Sequence, residues 1–113
     1  MLIRRRKGPP KGPKPKPQYT IDGVEFSTLD EFAKLFSSRV LQTHIWHGNL
    51  DAFNDILRGG FGTPEQGFIL IWKNHKASRR RLGDNLFDTL VEIIRTHGSG
   101  GEEEEDGVEL ILA

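Results

Sequence analysis

The chain has 113 residues, with sixteen basic and sixteen acidic side chains, six prolines and no cysteine. This length suits one domain and excludes a large multidomain enzyme, while the lack of cysteine excludes a disulfide framework, a cysteine-bound zinc ion and a thiol nucleophile. Only 35% of the residues are apolar, which is low for a globular chain and suggests that part of it does not fold.

The N-terminal segment, residues 1–17, differs sharply in composition from the rest. It holds seven Lys or Arg side chains, no acid and five of the six prolines. Nine basic and sixteen acidic residues remain beyond it, so residues 18–113 carry a formal charge of −7. Because a segment with so few apolar side chains cannot offset the entropy of ordering, we predict a disordered basic tail over 1–17 and one folded domain over 18–113. A phosphate-binding arm is an alternative role for this tail.

The folded domain is predicted to open with a strand from Tyr19 to Phe26 that bends at an Asp-Gly turn signal. Thr28 and Glu31 have the spacing of a capping box, which predicts the start of a helix. The apolar residues of that helix recur with helical periodicity, and they are Leu29, Phe32, Ala33 and Phe36.

A second helix is predicted over residues 50–58, with Asn49 as its N-cap and glycines after its end. At 100° per residue, one side of this helix is apolar. The other side carries four polar residues, Asp51, Asn54, Asp55 and Arg58. Asp51 and Asp55 are spaced i, i+4, so two like charges share one face at a cost of about a few tenths of a kcal/mol. A solvated face would explain this pattern as well as a binding face would.

The second half of the chain alternates strands and helices. Residues 68–72 are all apolar, which predicts a strand covered on both faces, as in a parallel sheet. A short helix around 76–82, an amphipathic helix that ends before Gly98, a Gly/Glu loop over 99–107 and a last strand over 108–113 follow. Parallel strands need helical crossovers, so we predict a small α/β domain with a three-stranded parallel sheet in the order β-α-α-β-α-α-β.

No catalytic constellation stands out in the sequence. A metal ion could be imagined among four side chains, His44, His47, Asp51 and Asp55. The two histidines precede the predicted N-cap and therefore have no helical register to the aspartates. His75 and His97 stand alone, and the glycines over 59–62 follow a helix rather than a strand, unlike a phosphate-binding loop. We therefore predict no catalytic residue, no metal and no cofactor.

Two further charge runs remain, one basic and one acidic. Arg79–Arg81 could join the tail in binding nucleic acid, but the −7 charge of the domain opposes the approach of phosphates. Glu102–Asp106 is predicted to be a solvated loop rather than a cation site. The longest apolar run is too short to cross a bilayer, and no secretory signal is visible. We therefore expect a cytoplasmic protein that does not bind a membrane.

The segment from Asn49 to Leu57, with the sequence NLDAFNDIL, carries the most specific signal in the chain. With Trp46 before it and an apolar strand ending at Trp72 after it, this segment closely resembles the core motif of the barstar family of ribonuclease inhibitors. The similarity covers Tyr19 to Ala113 and implies the same α/β fold. In that family the acidic helix docks into the cleft of a ribonuclease, where its carboxylates take the positions of RNA phosphates.

The resemblance implies partner contacts at particular residues. Asp55 would be inserted deepest into the cleft, and Asp51 would pair with its rim. The other implied contacts come from the loop before the helix, from the helix itself and from the start of the last long helix, and they are Trp46, His47, Gly48, Asn49, Asn54 and Asp84. Two features differ from the best-known member, in which a tryptophan stands at the position of Asn54 and the loop glycine lies one place earlier.

These observations predict a bacterial, cytoplasmic inhibitor that is monomeric when free, binds one small basic ribonuclease and catalyses nothing. An alternative from a different class is a nucleic-acid-associated accessory module that binds through the basic tail and Arg79–Arg81. A third hypothesis is a small metal-dependent hydrolase built on His47, Asp51 and Asp55. Deletion of the tail separates the first two, since inhibition should survive it and RNA binding should vanish.

Overall fold

The computed structural model describes residues 15–113. Its elements in chain order are β1 (Gln18–Asp22), α1 (Leu29–Phe36), α2 (Leu50–Arg58), β2 (Phe68–Lys73), α3 (His75–Leu82), α4 (Asp84–Thr96) and β3 (Val108–Leu112). A π-helical turn (Ser37–Leu41) continues α1, and a 3₁₀ turn (Glu104–Asp106) precedes β3. The predicted element order is confirmed, whereas the predicted disorder of the tail falls mostly on residues outside the described part. Every helix among residues 15–113 falls short of the length and apolar character that a bilayer crossing requires.

The three strands form one parallel sheet with β2 in the centre. Ile21 of β1 lies opposite Trp72 of β2, which in turn lies opposite Leu112 of β3. The pairing extends one residue before β1, because the Pro17 carbonyl accepts a hydrogen bond from the N–H of Ile69 at 2.9 Å. The predicted three-stranded parallel sheet is therefore confirmed.

One face of the sheet carries the core. Phe68, Leu70 and Trp72 of β2 are fully buried and form one cluster with the buried side chains of the helices. The helical members are Phe32, Ala33 and Phe36 of α1, Phe53, Ile56 and Leu57 of α2, and Phe87, Leu90 and Ile94 of α4. This packing fixes which side of α2 is turned inward and leaves its other side to the solvent.

The opposite face of β2 is less covered than the sequence predicted. Ile69 and Ile71 are half-buried, and Ile111, which pairs with Ile71, is 48% exposed. Successive side chains of a strand point to opposite faces, and the helices of the described chain pack on the side of Phe68. The prediction of a strand covered on both faces was therefore wrong, and the isoleucines are explained by the strand propensity of β-branched residues.

The segment between β1 and α1 turns instead of continuing as a strand. The Asp22 carbonyl accepts a hydrogen bond from the N–H of Glu25 at 2.9 Å, which closes a turn, and Phe26 then enters the core. The predicted strand therefore ends at Asp22 rather than at Phe26. Thr28 is confirmed as the N-cap of α1, since its hydroxyl accepts a hydrogen bond from the N–H of Glu31 at 3.1 Å. The Glu31 carboxylate accepts from the N–H of Ser27 at 2.7 Å, one residue before the cap whose N–H a capping box would use.

Candidate functional site

The residues singled out by the sequence centre on α2, which begins and ends as predicted. The Asn49 side-chain oxygen accepts hydrogen bonds from the N–H groups of Asp51 at 2.8 Å and Ala52 at 3.1 Å. This cap satisfies two of the N–H groups that a helix start leaves without an intrahelical partner. Gly59 ends the helix with a φ of +112°, a backbone conformation that residues with a side chain rarely adopt.

The loop before α2 is held in place by Trp46. Its side chain is buried, and the ring stacks on Phe53 with 4.3 Å between the centroids. The indole N–H donates to the Asn49 carbonyl at 2.8 Å, and the backbone N–H of Trp46 donates to the Ser37 hydroxyl at 2.8 Å. Trp46 therefore attaches the loop to the core and to the start of α2. The resemblance implied a partner contact for Trp46, whereas the structure places its ring in the core.

Two neighbours of Trp46 do reach the surface. His47 is exposed, and Gly48 is half-buried with a φ of +95°, so a side chain at that position would strain the backbone. Asn49 is exposed as well. These three residues form a continuous edge beside the first turn of α2, where the resemblance implied partner contacts.

Asp51 and Asp55 lie one turn apart on the exposed side of α2, away from its buried apolar residues. The Asp55 side chain is 63% exposed. Asp51 lies in the first helical turn, where the positive end of the helix dipole stabilises a carboxylate. Positions i and i+4 of a helix have Cβ atoms about 5–6 Å apart, so both carboxylates can reach one cationic surface.

Arg58 connects Asp55 to the loop before β3. Its Nη1 donates to Asp55 Oδ1 at 2.6 Å, while Nε and Nη2 donate to the two carboxylate oxygens of Glu103 at 2.7 and 3.0 Å. The hydrogen bonds to Glu103, and to a lesser extent the nearby Asp55, raise the pKa of Arg58 above its already high value. The guanidinium is therefore permanently charged, and it is shared between two acids.

Beneath the exposed acids, Asn54 takes part in a buried chain of hydrogen bonds. His97, the residue after α4, has its Nε2 2.9 Å from the Asn54 side-chain oxygen and its Nδ1 2.7 Å from the Asp106 carboxylate. His97 and Asp106 have 0% and 1% of their surface exposed. Asn54 is half-buried, although helical periodicity grouped it with the exposed acids. Its side chain thus joins α2 to the end of α4 and to the 3₁₀ turn.

The surroundings of His97 correct two expectations from the sequence. His97 was expected to stand alone, but it pairs with Asp106. Glu102–Asp106 was expected to be a solvated loop, which holds for the exposed Glu102, Glu104 and Glu105 but not for the buried Asp106. A buried histidine needs hydrogen-bond partners on its ring nitrogens, and Asp106 and Asn54 supply them. The one sequence signal for this pairing was the place of Asp106, a single glycine before the last strand and hence near the sheet.

His97, Glu103 and Asp106 also form a group of described residues whose potential metal-binding atoms approach one another within 4.8 Å. Both ring nitrogens of His97 and both carboxylate oxygens of Glu103 already have protein partners, so the group is an internal network rather than an open metal centre. Within residues 15–113, no such group is formed by the four side chains considered from the sequence, His44, His47, Asp51 and Asp55.

Asp84 lies apart from the acids of α2. It begins α4, whereas α4 meets α2 at its other end, where His97 contacts Asn54. At 1.5 Å per residue, Asp84 is about 18 Å from Thr96 along the helix axis. The Asp84 carboxylate accepts a hydrogen bond from Arg79 at 3.2 Å instead. The described contact of Asp84 is therefore with α3, and its implied contact with a partner stays a prediction.

The arginine run of α3 is engaged within the domain. Arg79 donates to Asp88 at 2.9 Å, and its guanidinium lies 4.6 Å from the centre of the Phe87 ring. Arg81 donates to the Val24 carbonyl at 2.9 Å. Two of the three arginines considered for nucleic-acid binding are thus already paired with protein groups.

The sequence that forms this domain matches a known protein family. A family model described as Barstar (barnase inhibitor) matches residues 17–113. The chain belongs to the Barstar family. The resemblance drawn from residues 49–57 is thereby confirmed, and the matched range contains every element of the described chain. A search of curated proteins finds no match.

The Barstar family is a family of inhibitors, and its description names the ribonuclease barnase as the protein inhibited. Its members are thus characterised by binding another protein rather than by catalysis. For this chain, the candidate docking face is the surface formed by α2 and by His47–Asn49.

Proposed function

We propose that this chain inhibits a small basic ribonuclease by inserting its docking face into the RNA-binding cleft of the enzyme. Asp51 and Asp55 would take the positions of two RNA phosphates, with Asp55 the deeper of the two. The edge formed by His47, Gly48 and Asn49 would contact the rim. The observation that carries this proposal is the pair of exposed carboxylates, one turn apart, on a firmly held helix in a chain of an inhibitor family.

Charge complementarity is the physical basis of the proposal. A ribonuclease that binds RNA phosphates needs cationic side chains in its cleft, and carboxylates at the same positions compete with RNA for them. The like charges of Asp51 and Asp55 repel each other in the free helix, and a cationic cleft removes that repulsion. The Asn49 cap and the stacking of Trp46 on Phe53 order the helix before binding, which lowers the entropic cost of association.

The same proposal covers stoichiometry and place of action. One docking face per chain favours a complex of one inhibitor with one ribonuclease, and a monomer when the chain is free. The chain would catalyse nothing itself and would need no metal or cofactor. It would act in the cytoplasm, where it protects RNA from a nuclease that the cell produces or takes up.

Titration of small microbial ribonucleases with the full chain tests this function. We expect full inhibition at one inhibitor per enzyme, and weaker inhibition as salt screens the exposed charges. Asp55→Ala should weaken inhibition at least about 100-fold, because breaking a buried charge pair costs about 3–5 kcal/mol and 1.4 kcal/mol corresponds to a factor of ten.

Asp30→Ala is the matched control. Asp30 is an exposed acid in the first turn of α1 and pairs with Lys34 at 3.6 Å, so its loss changes the net charge equally without touching the docking face. Inhibition by this variant should stay close to that of the wild type. Equal inhibition by the wild type and Asp55→Ala would contradict the role of Asp55, and no inhibition of any ribonuclease would contradict the function.

The alternative function, nucleic-acid binding through the basic tail, makes a different prediction. A chain that starts at Pro15 retains the hydrogen bond between Pro17 and Ile69 that extends the sheet. We expect this shortened chain to inhibit as well as the full chain does. RNA binding by the full chain that vanishes on shortening, without inhibition by either chain, would favour the accessory module instead.

A further inference from the structure

The loop between α4 and β3 reaches the docking face through Glu103. The two oxygens of this carboxylate accept hydrogen bonds from Nε and Nη2 of Arg58, and Nη1 of the same guanidinium donates to Asp55. The Glu103 side chain is 27% exposed, so its ion pair with Arg58 is better shielded from water than the one between Arg58 and Asp55. Through Glu103, the loop therefore helps to fix the position of the Arg58 guanidinium beside Asp55.

We propose that Glu103 is a positioning residue for the docking face, because it holds Arg58 in a place that leaves Asp55 available to a cationic partner. This inference rests on the inhibitor function proposed above. It names a residue outside α2 that sets the affinity for the ribonuclease, and it gives a role to the Gly/Glu loop.

Charge balance at the C-terminal end of α2 supports this role. With Glu103 in place, the formal charges of Asp55, Arg58 and Glu103 sum to −1. Without the Glu103 carboxylate, Arg58 and Asp55 neutralise each other, and this end of the face offers no net charge to a cationic cleft. Like charges across an interface are unfavourable, so an Arg58 that Glu103 no longer holds would also repel the partner.

The geometry of the guanidinium supports the same role. A guanidinium presents five N–H groups in a planar fork and binds a carboxylate most strongly through two of its nitrogens. In this structure the bidentate partner is Glu103, whereas Asp55 receives one nitrogen. Once Glu103 is removed, the fork can turn to Asp55, three residues earlier on the same helix. A ribonuclease would then have to break a two-point ion pair before it could bind Asp55.

The rate of association with a ribonuclease that the wild type inhibits tests this inference. The four chains to compare are the wild type, Glu103→Ala, Arg58→Ala and the double variant. Glu103→Ala should slow association roughly tenfold at low salt, and the difference should shrink as salt screens the charges. Arg58→Ala should bind at least as fast as the wild type. The double variant should match Arg58→Ala, because the arginine that Glu103 positions is absent from both chains. A merely structural role of the loop would not be rescued by removing Arg58.

Glu25→Ala is the matched control for the loss of one negative charge. Glu25 pairs with Arg39 at 3.1 Å, both side chains are 40% exposed, and Arg39 also donates to the Thr20 carbonyl of β1. This pair lies outside the docking face. Equal association rates for Glu103→Ala and Glu25→Ala would overturn the positioning role, and so would a double variant as slow as Glu103→Ala.

An NMR measurement on the free chains separates failure of this inference from failure of the proposed function. The side-chain carboxyl carbon signal of Asp55 should shift in Glu103→Ala and stay in place in Glu25→Ala, because only the first change lets Arg58 turn to Asp55. An unchanged signal in Glu103→Ala would overturn the rearrangement whatever the partner. Failure of the wild type to inhibit any ribonuclease would overturn the proposed function, and the inference with it.

Discussion

Two sets of polar contacts join α2 to the segment that follows α4, and they differ in their exposure to water. The inner set lies beneath the helix and consists of Asn54, His97 and Asp106. The outer set lies on its surface and consists of Asp55, Arg58 and Glu103. Each set links an acidic residue of the loop between α4 and β3 to α2, Asp106 in the inner set and Glu103 in the outer one. The two sets therefore differ mainly in their exposure to water.

This difference in exposure separates stability from recognition. Buried polar groups have no water to replace a lost partner, so the inner contacts should stabilise the position of α2 strongly. Exposed ion pairs contribute little to stability, but their charges still act on a partner that approaches the surface. We therefore expect variants of the inner set to change the free energy of unfolding, and variants of the outer set to change ribonuclease binding.

The largest expected effect is on the buried pair. Asp106→Ala leaves His97 without its partner at Nδ1, and a buried group left without its hydrogen bond costs about 1–3 kcal/mol, with more where the lost partner is a charged group such as this carboxylate. Urea denaturation should show this loss as a lower midpoint. Glu102→Ala removes an exposed acid from the same loop and should change stability by no more than about 0.5 kcal/mol. Similar midpoints for the two variants would contradict the assignment of Asp106 to the inner set.

A smaller effect is expected at the other end of the inner chain. Asn54→Ala removes the partner of His97 Nε2, and a buried group left without its hydrogen bond costs about 1–3 kcal/mol. The loss should fall in the lower part of this range, because Asn54 is half-buried and water can partly replace it. Asn85→Ala, at an exposed position of α4, is the control in the same denaturation experiment. If both asparagine variants unfold alike, the Asn54 hydrogen bond stabilises nothing.

The start of α2 provides an exposed contact that still stabilises the fold, because its partners are backbone groups. Asn49→Ala removes the cap on Asp51 and Ala52, with an expected cost of about 1 kcal/mol in the free energy of unfolding. Asn49→Ser retains a capping oxygen and should recover most of that stability. A serine variant as unstable as the alanine variant would show that some contact other than the cap is responsible.

The docking face and its helix could largely be predicted from the sequence because the signals are local, whereas the pairing of Arg58 with Glu103, 45 residues away, could not. The bounds of α2, its Asn49 cap and the exposed places of Asp51 and Asp55 follow from periodicity and from neighbouring residues. The apolar run of β2 likewise indicated a strand at its place in the chain. Each of these features depends on residues within one or two turns or strand repeats of one another.

The inner set could not be predicted, because its members lie far apart in the sequence. Asn54 and His97 are 43 residues apart, and no periodicity relates them. Helical phase alone placed Asn54 with the acids, since it does not show that the end of α4 passes beneath that side of the helix. The burial of Trp46 was missed for the same reason, as its stacking on Phe53 requires the loop to fold back on α2.

Variants of the outer set should have the smallest effect on the free energy of unfolding. Arg58→Ala and Glu103→Ala each remove an ion pair whose members are partly exposed, which should change the free energy of unfolding by roughly 1 kcal/mol or less. Denaturation in low and high salt should show that even this difference decreases as the charges are screened. Asp106→Ala should show little such dependence on salt, because its pair with His97 is buried.

If Glu103→Ala destabilised the fold as strongly as Asp106→Ala does, its slower binding would reflect loss of structure, and the division between stability and recognition would fail. A stable Glu103→Ala chain that associates slowly, beside an unstable Asp106→Ala chain, would show that one loop stabilises the helix with one acid and adjusts its charge with another.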